Sequence, residues 1–412
     1  MQANELLEVG TDPDAVPLHF SKAQALFAQG FFQAYDFQDI LFYNPEVVVK
    51  HKLKTDRSCR FCQKQMPDVT FKKDAHIYPE FIGNRKLVSD FECDECNSIF
   101  SKLENDLNHF LGPVLALQGI QGKKKKGRGR DVSYTAPDNR LKIEPIKLED
   151  GTKGIAVSKA DLGDPSITIN HSGGETYIEY TKHDYIPLNV YKLLLKMAVC
   201  SLPEAEMKNY PSLPAYLLDD SLDEKMNGCQ FMTIHRKPFS LGHRAPIGNL
   251  FKKRDKNRLL PTHVFVLMFA NFVVQIYLPE HLDDIPLIYE SGKLPEIAPI
   301  LPPFFYSRKE ADTLAYTSTN YMMNSKDTVE KELERISMQN NPQALAKAHV
   351  YNAYTDASVP VENFGETMKL LLFEEQKIIS KTQLKELAKK AAQLGPKRKQ
   401  ASENQDETST TD

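Results

Sequence analysis

The chain has 412 residues, 41% of them apolar, with six cysteines and a formal net charge of −3. Such a length supports two or three compact units, and near-neutrality confines any nucleic-acid contact to local basic patches. The opening "MQANELLEVGTDPDAV" lacks the basic-then-apolar layout of a secretion signal, and the longest apolar run, "VFVLMFANFVVQIYL", is interrupted at Asn271 and Gln275 and too short to span a bilayer. Without an export signal, six cysteines argue against a disulfide scaffold, so the expectation is a soluble, cytoplasmic protein with no membrane partner.

In chain order, residues 1–50 read as a lead-in: a helix-like "SKAQALFAQGFFQAYDF", then an extended "ILFYNPEVVV". Four cysteines follow, from Cys59 to Cys96. "NSIFSKLENDLNHFLGPVLALQ" puts Ile99, Leu103, Leu107 and Phe110 at helical spacing and predicts a helix ended by Gly112-Pro113. "GKKKKGRGR", residues 122–130, reads as a basic, glycine-rich loop. Hairpins come next: "LKIEPIKLEDGTKGIAVSK" turns at Asp150-Gly151 and "SITINHSGGETYIEYT" at Gly173-Gly174. "PLNVYKLLLKMAVCSL" predicts a buried helix between Pro187 and Pro203, and "HVFVLMFANFVVQIYLP" two core strands joined at Ala270-Asn271. The last quarter is expected to be helical, in "KDTVEKELERIS" and "KTQLKELAKKAAQL", before a polar, disordered tail over residues 395–412. The expected organisation is therefore a small cysteine-bearing module over 51–120 and a larger α+β domain over 131–394.

Cys59-X-X-Cys62 and Cys93-X-X-Cys96 are two knuckles separated by 30 residues. Each pair sets two thiolates on one tight turn, and two such turns close a tetrahedron around zinc. A redox pair would need a single such motif beside a βαβ unit. Cys200 and Cys229 stand alone and read as core residues.

Between the knuckles, "DAHIYPEFIGN" places His76 on a short apolar run, followed by Pro79, Gly83 and Asn84. The second knuckle runs straight into Asn97 and a helix carrying Glu104. The order "CRFC…DAHIYPEFIGN…ECDECNSIFSKLE" resembles the HNH endonucleases, in the subgroup marked by C-x-x-C, H-I-x-P-E-x-x-G-N and C-x-x-C-N-x-x-F-x-x-x-E. The resemblance runs from residue 59 to about residue 107. It implies an N-terminal ββα-metal module within an α+β chain, with structural zinc on Cys59, Cys62, Cys93 and Cys96. It also implies that His76 is the general base, that Asn84 braces the loop around it, and that Asn97 is a ligand of a catalytic Mg²⁺ or Mn²⁺. Glu104 lies seven residues beyond Asn97, on the same helical face. Phosphodiester hydrolysis needs these parts: a base to deprotonate water, and a cation to neutralise charge on the phosphate and the leaving oxygen.

One position departs from the pattern. Many HNH nucleases have Asp or His immediately before the base as a metal ligand, where this chain has Ala75. Either Glu104 or Glu80 supplies the missing oxygen, or metal is held weakly until substrate phosphate arrives. Asn97 equally suits a helix N-cap and Glu104 a solvated face. The basic run Lys123, Lys124, Lys125, Lys126, Arg128 and Arg130 suits either a solvated loop or a phosphate contact. The whole reads as a DNA endonuclease, the effector of a bacterial defence against phage or plasmids, restrained through its C-terminal domain by a protein partner or activating ligand. The other reading is a non-catalytic zinc-knuckle interaction or nucleic-acid-binding module in a larger assembly.

Overall fold

The structure is a computed structural model and describes residues 19–42, 57–147, 153–159, 167–170, 175–222, 230–237, 243–290, 296–304, 316–339, 349–352, 357–360 and 369–373, apart from positions 22, 85, 126, 127 and 297. Its N-terminal part contains α1 (Ala25–Ala34), β1 (Tyr35–Phe42), β2 (Ala75–His76), β3 (Val88–Ser89), α2 (Asp94–Leu111), α3 (Val114–Leu117), β4 (Gln121–Lys125) and β5 (Arg128–Asp131). Then come β6 (Tyr134–Thr135), β7 (Leu141–Lys147), β8 (Lys153–Lys159), β9 (Ile167–Asn170), β10 (Glu175–Thr181), α4 (Pro187–Ser201), α5 (Glu204–Met207) and α6 (Leu213–Leu218). The remainder is strand: β11 (Phe231–Arg236), β12 (His243–Lys253), β13 (His263–Ala270), β14 (Phe272–Leu278), β15 (Thr317–Met322), β16 (Leu333–Gln339), β17 (His349–Asn352), β18 (Ala357–Pro360) and β19 (Lys369–Phe373).

These elements form two compact units. The first comprises Met1–Ser133 and Thr181–Glu334, the second Tyr134–Tyr180 and Arg335–Asp412. The composition shift near residue 131 thus coincides with one crossing, but the chain later returns to the first unit.

The first unit is organised by a six-stranded antiparallel sheet in the order β1-β12-β13-β14-β11-β15. Every residue of β13 and β14 is buried, so these strands read as continuous apolar runs rather than alternating ones. Phe269 pairs with Phe272 across a turn in which Ala270 takes φ 45°, where the sequence placed the joint. The lead-in helix is part of this core: Phe31 of α1 lies 5.1 Å from Phe251 of β12 and stacks on Tyr35. All but one of α4's residues are buried, because the helix contacts α2 as well as β1, β12 and β14 of the sheet. In the second unit β7 pairs antiparallel with β8 and β9 with β10, in sheets ordered β19-β8-β7-β6 and β16-β10-β9, while the expected turns at Asp150-Gly151 and Gly173-Gly174 lie outside the described residues.

Three local expectations are corrected. The basic run is not one loop: Gln121–Lys125 and Arg128–Asp131 are strands β4 and β5, paired antiparallel with Gln121 opposite Asp131 and Lys125 opposite Arg128. "KDTVEKELERIS" is not a helix, since residues 333–339 are strand, and among the described residues the C-terminal quarter contains strands and connecting segments but no helix. Tertiary pairing overrides the helical pattern there: the buried Lys182 ammonium lies 3.1 Å from Glu332 and 2.9 Å from Glu334. Finally, Ile99 is 39% exposed, and Phe100 takes the core place, because the buried stripe of α2 starts at Cys96. "KTQLKELAKKAAQL", the tail over 395–412 and Cys229 lie outside the described residues. Among the described residues, no helix is long and apolar enough to cross a membrane.

Candidate metal centre and the histidine strand

The four knuckle cysteines converge, their sulfurs all lying within 4.8 Å of one another. Cys59 Sγ is 3.7 Å from Cys96 Sγ, and Cys62 Sγ is 3.8 Å from Cys93 Sγ. Tetrahedral zinc with bonds of about 2.3 Å sets its sulfurs about 3.8 Å apart, whereas a disulfide needs about 2.05 Å. The thiols are free, so the donor set fits zinc. Local backbone makes each turn. Gln63, at φ 61°, donates its N–H to Cys59 O at 3.0 Å, and Cys59 N–H closes onto Lys64 O at 2.7 Å. In the second knuckle Cys93 is the N-cap of α2. The Asp94 carboxylate beside it accepts from the Thr70 hydroxyl and from the Lys72 and Lys73 amides. Burial works against the Asp94 charge, but those hydrogen bonds outweigh it and hold the carboxyl below its usual range.

His76 sits on β2, opposite Val88 of β3, with its side chain 20% exposed. The stretch that follows it is a single 3-10 turn over Glu80–Ile82, closed by Gly83 at φ 101°, a conformation that favours glycine. That turn swings Glu80 back so that its Oε1 lies 3.9 Å from His76 Nε2. Asn84 is buried with its amide fully used. Nδ2 donates to Tyr78 O at 2.7 Å and Leu87 O at 2.8 Å, while Oδ1 accepts from Leu87 N–H at 3.0 Å and Lys86 N–H at 3.3 Å. Ala75 is buried and Asp74 exposed, so an acid at position 75 would have to enter the core.

Asn97 lies in the first turn of α2. Its N–H bonds Cys93 O at 2.9 Å, so it is not the N-cap. Glu104 stands further along the same helix, partly buried, and its charge acts on Lys196 of α4. The basic hairpin approaches the histidine loop at Gly122, where a Cβ would lie 3.4 Å from Phe81 Cα and 3.6 Å from Glu80 O. Lys123, Lys124, Lys125, Arg128 and Arg130 lie on these two strands as backbone positions, and Lys126 is outside the described residues.

Four residues that the sequence reading missed bind this module to α4. Asp106 of α2 accepts the Ile186 N–H at 2.8 Å and the Asn189 amide at 2.9 Å, placing an acid at the positive N-terminus of α4. At the other end Arg60, within the first knuckle, donates to Val199 O at 2.9 Å and Leu202 O at 3.0 Å. Between them Lys196 Nζ contacts Glu92 Oε2 at 2.8 Å and donates to His76 O at 2.8 Å. Burial works against this ammonium, and the Glu92 carboxylate outweighs it, so Lys196 stays charged.

A second cluster, Glu206, His263 and His281, also brings possible ligand atoms together. Its hydrogen bonds suit a polar network rather than a metal centre. Lys252 and Asn209 already occupy the Glu206 carboxylate. The Asp283 N–H donates to His281 Nδ1, which leaves the proton of the neutral ring on Nε2, where a metal would need a lone pair.

The family comparison falls on the segment that carries the first cluster. No curated protein and no solved structure matches the chain. The HNH endonuclease family matches residues 59–109, a span that begins at the first knuckle cysteine and takes in the histidine strand and most of α2. Over that span the chain is similar to the HNH endonuclease family.

Proposed function

We propose that this chain is a metal-dependent endonuclease hydrolysing DNA phosphodiester bonds at the site around His76. The observation carrying this reading is a four-sulfur cluster that supports, in the order of the matched family, a partly exposed histidine on a short strand and a helix entered through Asn97. Structural zinc on Cys59, Cys62, Cys93 and Cys96 holds the two turns together. The His76 imidazole, in its neutral form, takes the proton of the attacking water. A bound Mg²⁺ or Mn²⁺ would supply charge neutralisation at the phosphate and leaving oxygen. Asn97 and Glu104 are the proposed ligands, and Glu80 is the carboxylate nearest the imidazole. Asn84 fixes the loop between Tyr78 and Leu87, and the β4–β5 hairpin offers basic positions to the DNA backbone.

The finer reading is a cytoplasmic effector of bacterial defence, active against phage or plasmid DNA and restrained through its C-terminal domain by a partner or ligand. The large non-nuclease remainder of the chain supports it, since a phosphate-gripping nuclease without restraint endangers its host. Ala75 favours a second reading, a zinc-supported interaction module without catalysis.

The test is incubation of plasmid with the full chain and Mg²⁺, Mn²⁺ or Ni²⁺, beside His76→Ala, with zinc counted by elemental analysis. Metal-dependent nicking by the wild type, its loss in His76→Ala, and about one zinc per chain in both are expected. Equal cleavage by both proteins removes His76 as the base. Folded protein without zinc removes the metal assignment.

A further inference from the structure

The matched segment ends at residue 109, yet the histidine strand is held from beyond it. Lys196 lies in the middle of α4 with its side chain 3% exposed, and Glu92 is fully buried. The Lys196 Nζ lies 2.8 Å from Glu92 Oε2 and 2.8 Å from the carbonyl oxygen of His76, and it sits 5.6 Å from the Phe100 ring centroid. An ammonium in such surroundings needs a carboxylate and further acceptors to offset its desolvation. One of the acceptors it uses is the backbone of the one residue assigned as general base. Strand β2 is only two residues long, so ladder hydrogen bonds to β3 do little to fix its pitch. Arg60 and Asp106 fasten the two ends of α4 to the same module, which makes Lys196 a rigid strut rather than a flexible surface contact.

We propose that Lys196, seated by Glu92, is a positioning residue that sets the orientation of His76 for proton abstraction. The proposal rests on the nuclease reading of His76. Lys196 touches neither substrate nor metal. It fixes the carbonyl of His76, and through the backbone it fixes the direction in which the imidazole leaves the strand. Buried polar partners that orient a reacting group typically change rate about 10–100-fold when removed.

Lys196→Met alone would strand the buried Glu92 charge and risk the fold, so the informative variant is Glu92→Met/Lys196→Met in the full chain. Removing both charges together keeps the volume and avoids an unpaired ion. Lys192→Met is the control. Lys192 is a buried lysine one turn earlier on α4, and its Nζ bonds Asp220 at 2.9 Å. Cleavage of a labelled duplex is measured at saturating metal over a range of DNA concentrations, alongside zinc content and urea midpoint. For Glu92→Met/Lys196→Met we expect kcat to fall about 10–100-fold, KM to change less than about twofold, consistent with loss of an interaction that acts only on the chemical step, and zinc to remain bound. Lys192→Met keeps the wild-type kcat. Wild-type kcat in the double variant overturns the proposal, as does an equal loss in Lys192→Met. A wild type that cuts nothing with any of the three metals overturns the nuclease reading itself.

Discussion

Gly248 of β12 gives a sharp quantitative test of how the sheet supports the nuclease module. A Cβ placed there would lie 2.2 Å from the Tyr78 hydroxyl and 2.8 and 3.0 Å from two atoms of the Phe265 ring. Neither ring has room to withdraw. Tyr78 is fully buried and donates its hydroxyl to Leu41 O at 3.0 Å, and Phe265 is buried in β13. Overpacking of this kind costs about 1–3 kcal/mol, so Gly248→Ala should lie at the upper end, near 3. Tyr78→Phe alone should cost about 1–2 kcal/mol, because it leaves the Leu41 carbonyl without its donor. Combined, the two should cost no more than Gly248→Ala alone. Deleting the hydroxyl removes the 2.2 Å contact, while the Phe265 contacts at 2.8 and 3.0 Å keep the rescue partial. Urea unfolding followed by circular dichroism, with slopes compared to exclude a change in the unfolded state, measures all four proteins. Additivity within about 0.5 kcal/mol would refute the reasoning, as would a Gly248→Ala protein of wild-type stability.

Three further outcomes follow from the geometry. Arg60→Ala should cost about 1–3 kcal/mol through the two α4 carbonyls it leaves bare, whereas Glu204→Ala, on an 85% exposed side chain, should stay within about 0.5 kcal/mol; equal effects in urea titration would contradict this. Burial lowers His263 to about 3 and His235 to about 4, below the unfolded value of 6.5. The unfolded chain therefore binds more protons below pH 6.5, and stability, full above that pH, should fall by about 1.4 kcal/mol per unit for each group as the pH drops toward 4; a flat profile between pH 7 and 5 would count against it. Glu104→Gln should lower cleavage at least about tenfold, with partial rescue by raised Mn²⁺. Wild-type activity in Glu104→Gln at low metal, together with loss in Glu80→Gln, would assign the carboxylate to Glu80.

The parts legible in the sequence are those where local chemistry and tertiary need agree. Cysteine spacing announces the zinc turns because each ligand pair is made within one turn. The run from His263 to Leu278 announces two buried strands because both faces are covered. The segment 326–337 misleads because its acids and bases also stand at helical intervals. A period-two signal was present: Glu332, just before β16, and Glu334 within it, two apart, both meet Lys182, and Arg236 takes Glu334 at 2.9 Å. Lysine-rich composition hid the β4–β5 ladder, since backbone pairing leaves no mark on side-chain hydropathy. Lys196 could not be assigned to His76 from spacing at all, because the two are 120 positions apart. A lysine inside an otherwise apolar helix was the available hint, since such a residue needs a buried partner.

The division of the chain has a consequence for how the protein could be switched. The second unit is made from Tyr134–Tyr180 and Arg335–Asp412, so the chain passes between units three times. Two of those passages run side by side, with Lys182 N–H donating to Glu332 O at 2.8 Å. A protease that severed any single passage would liberate no intact piece. Residues before the cut would stay bound to those after it through β1 on β12 and α2 on α4, or through β19 on β8. Cleavage at the last passage alone would leave the C-terminal segment paired to β8 through β19. A single cut at any of these passages therefore separates no whole unit from the rest of the chain.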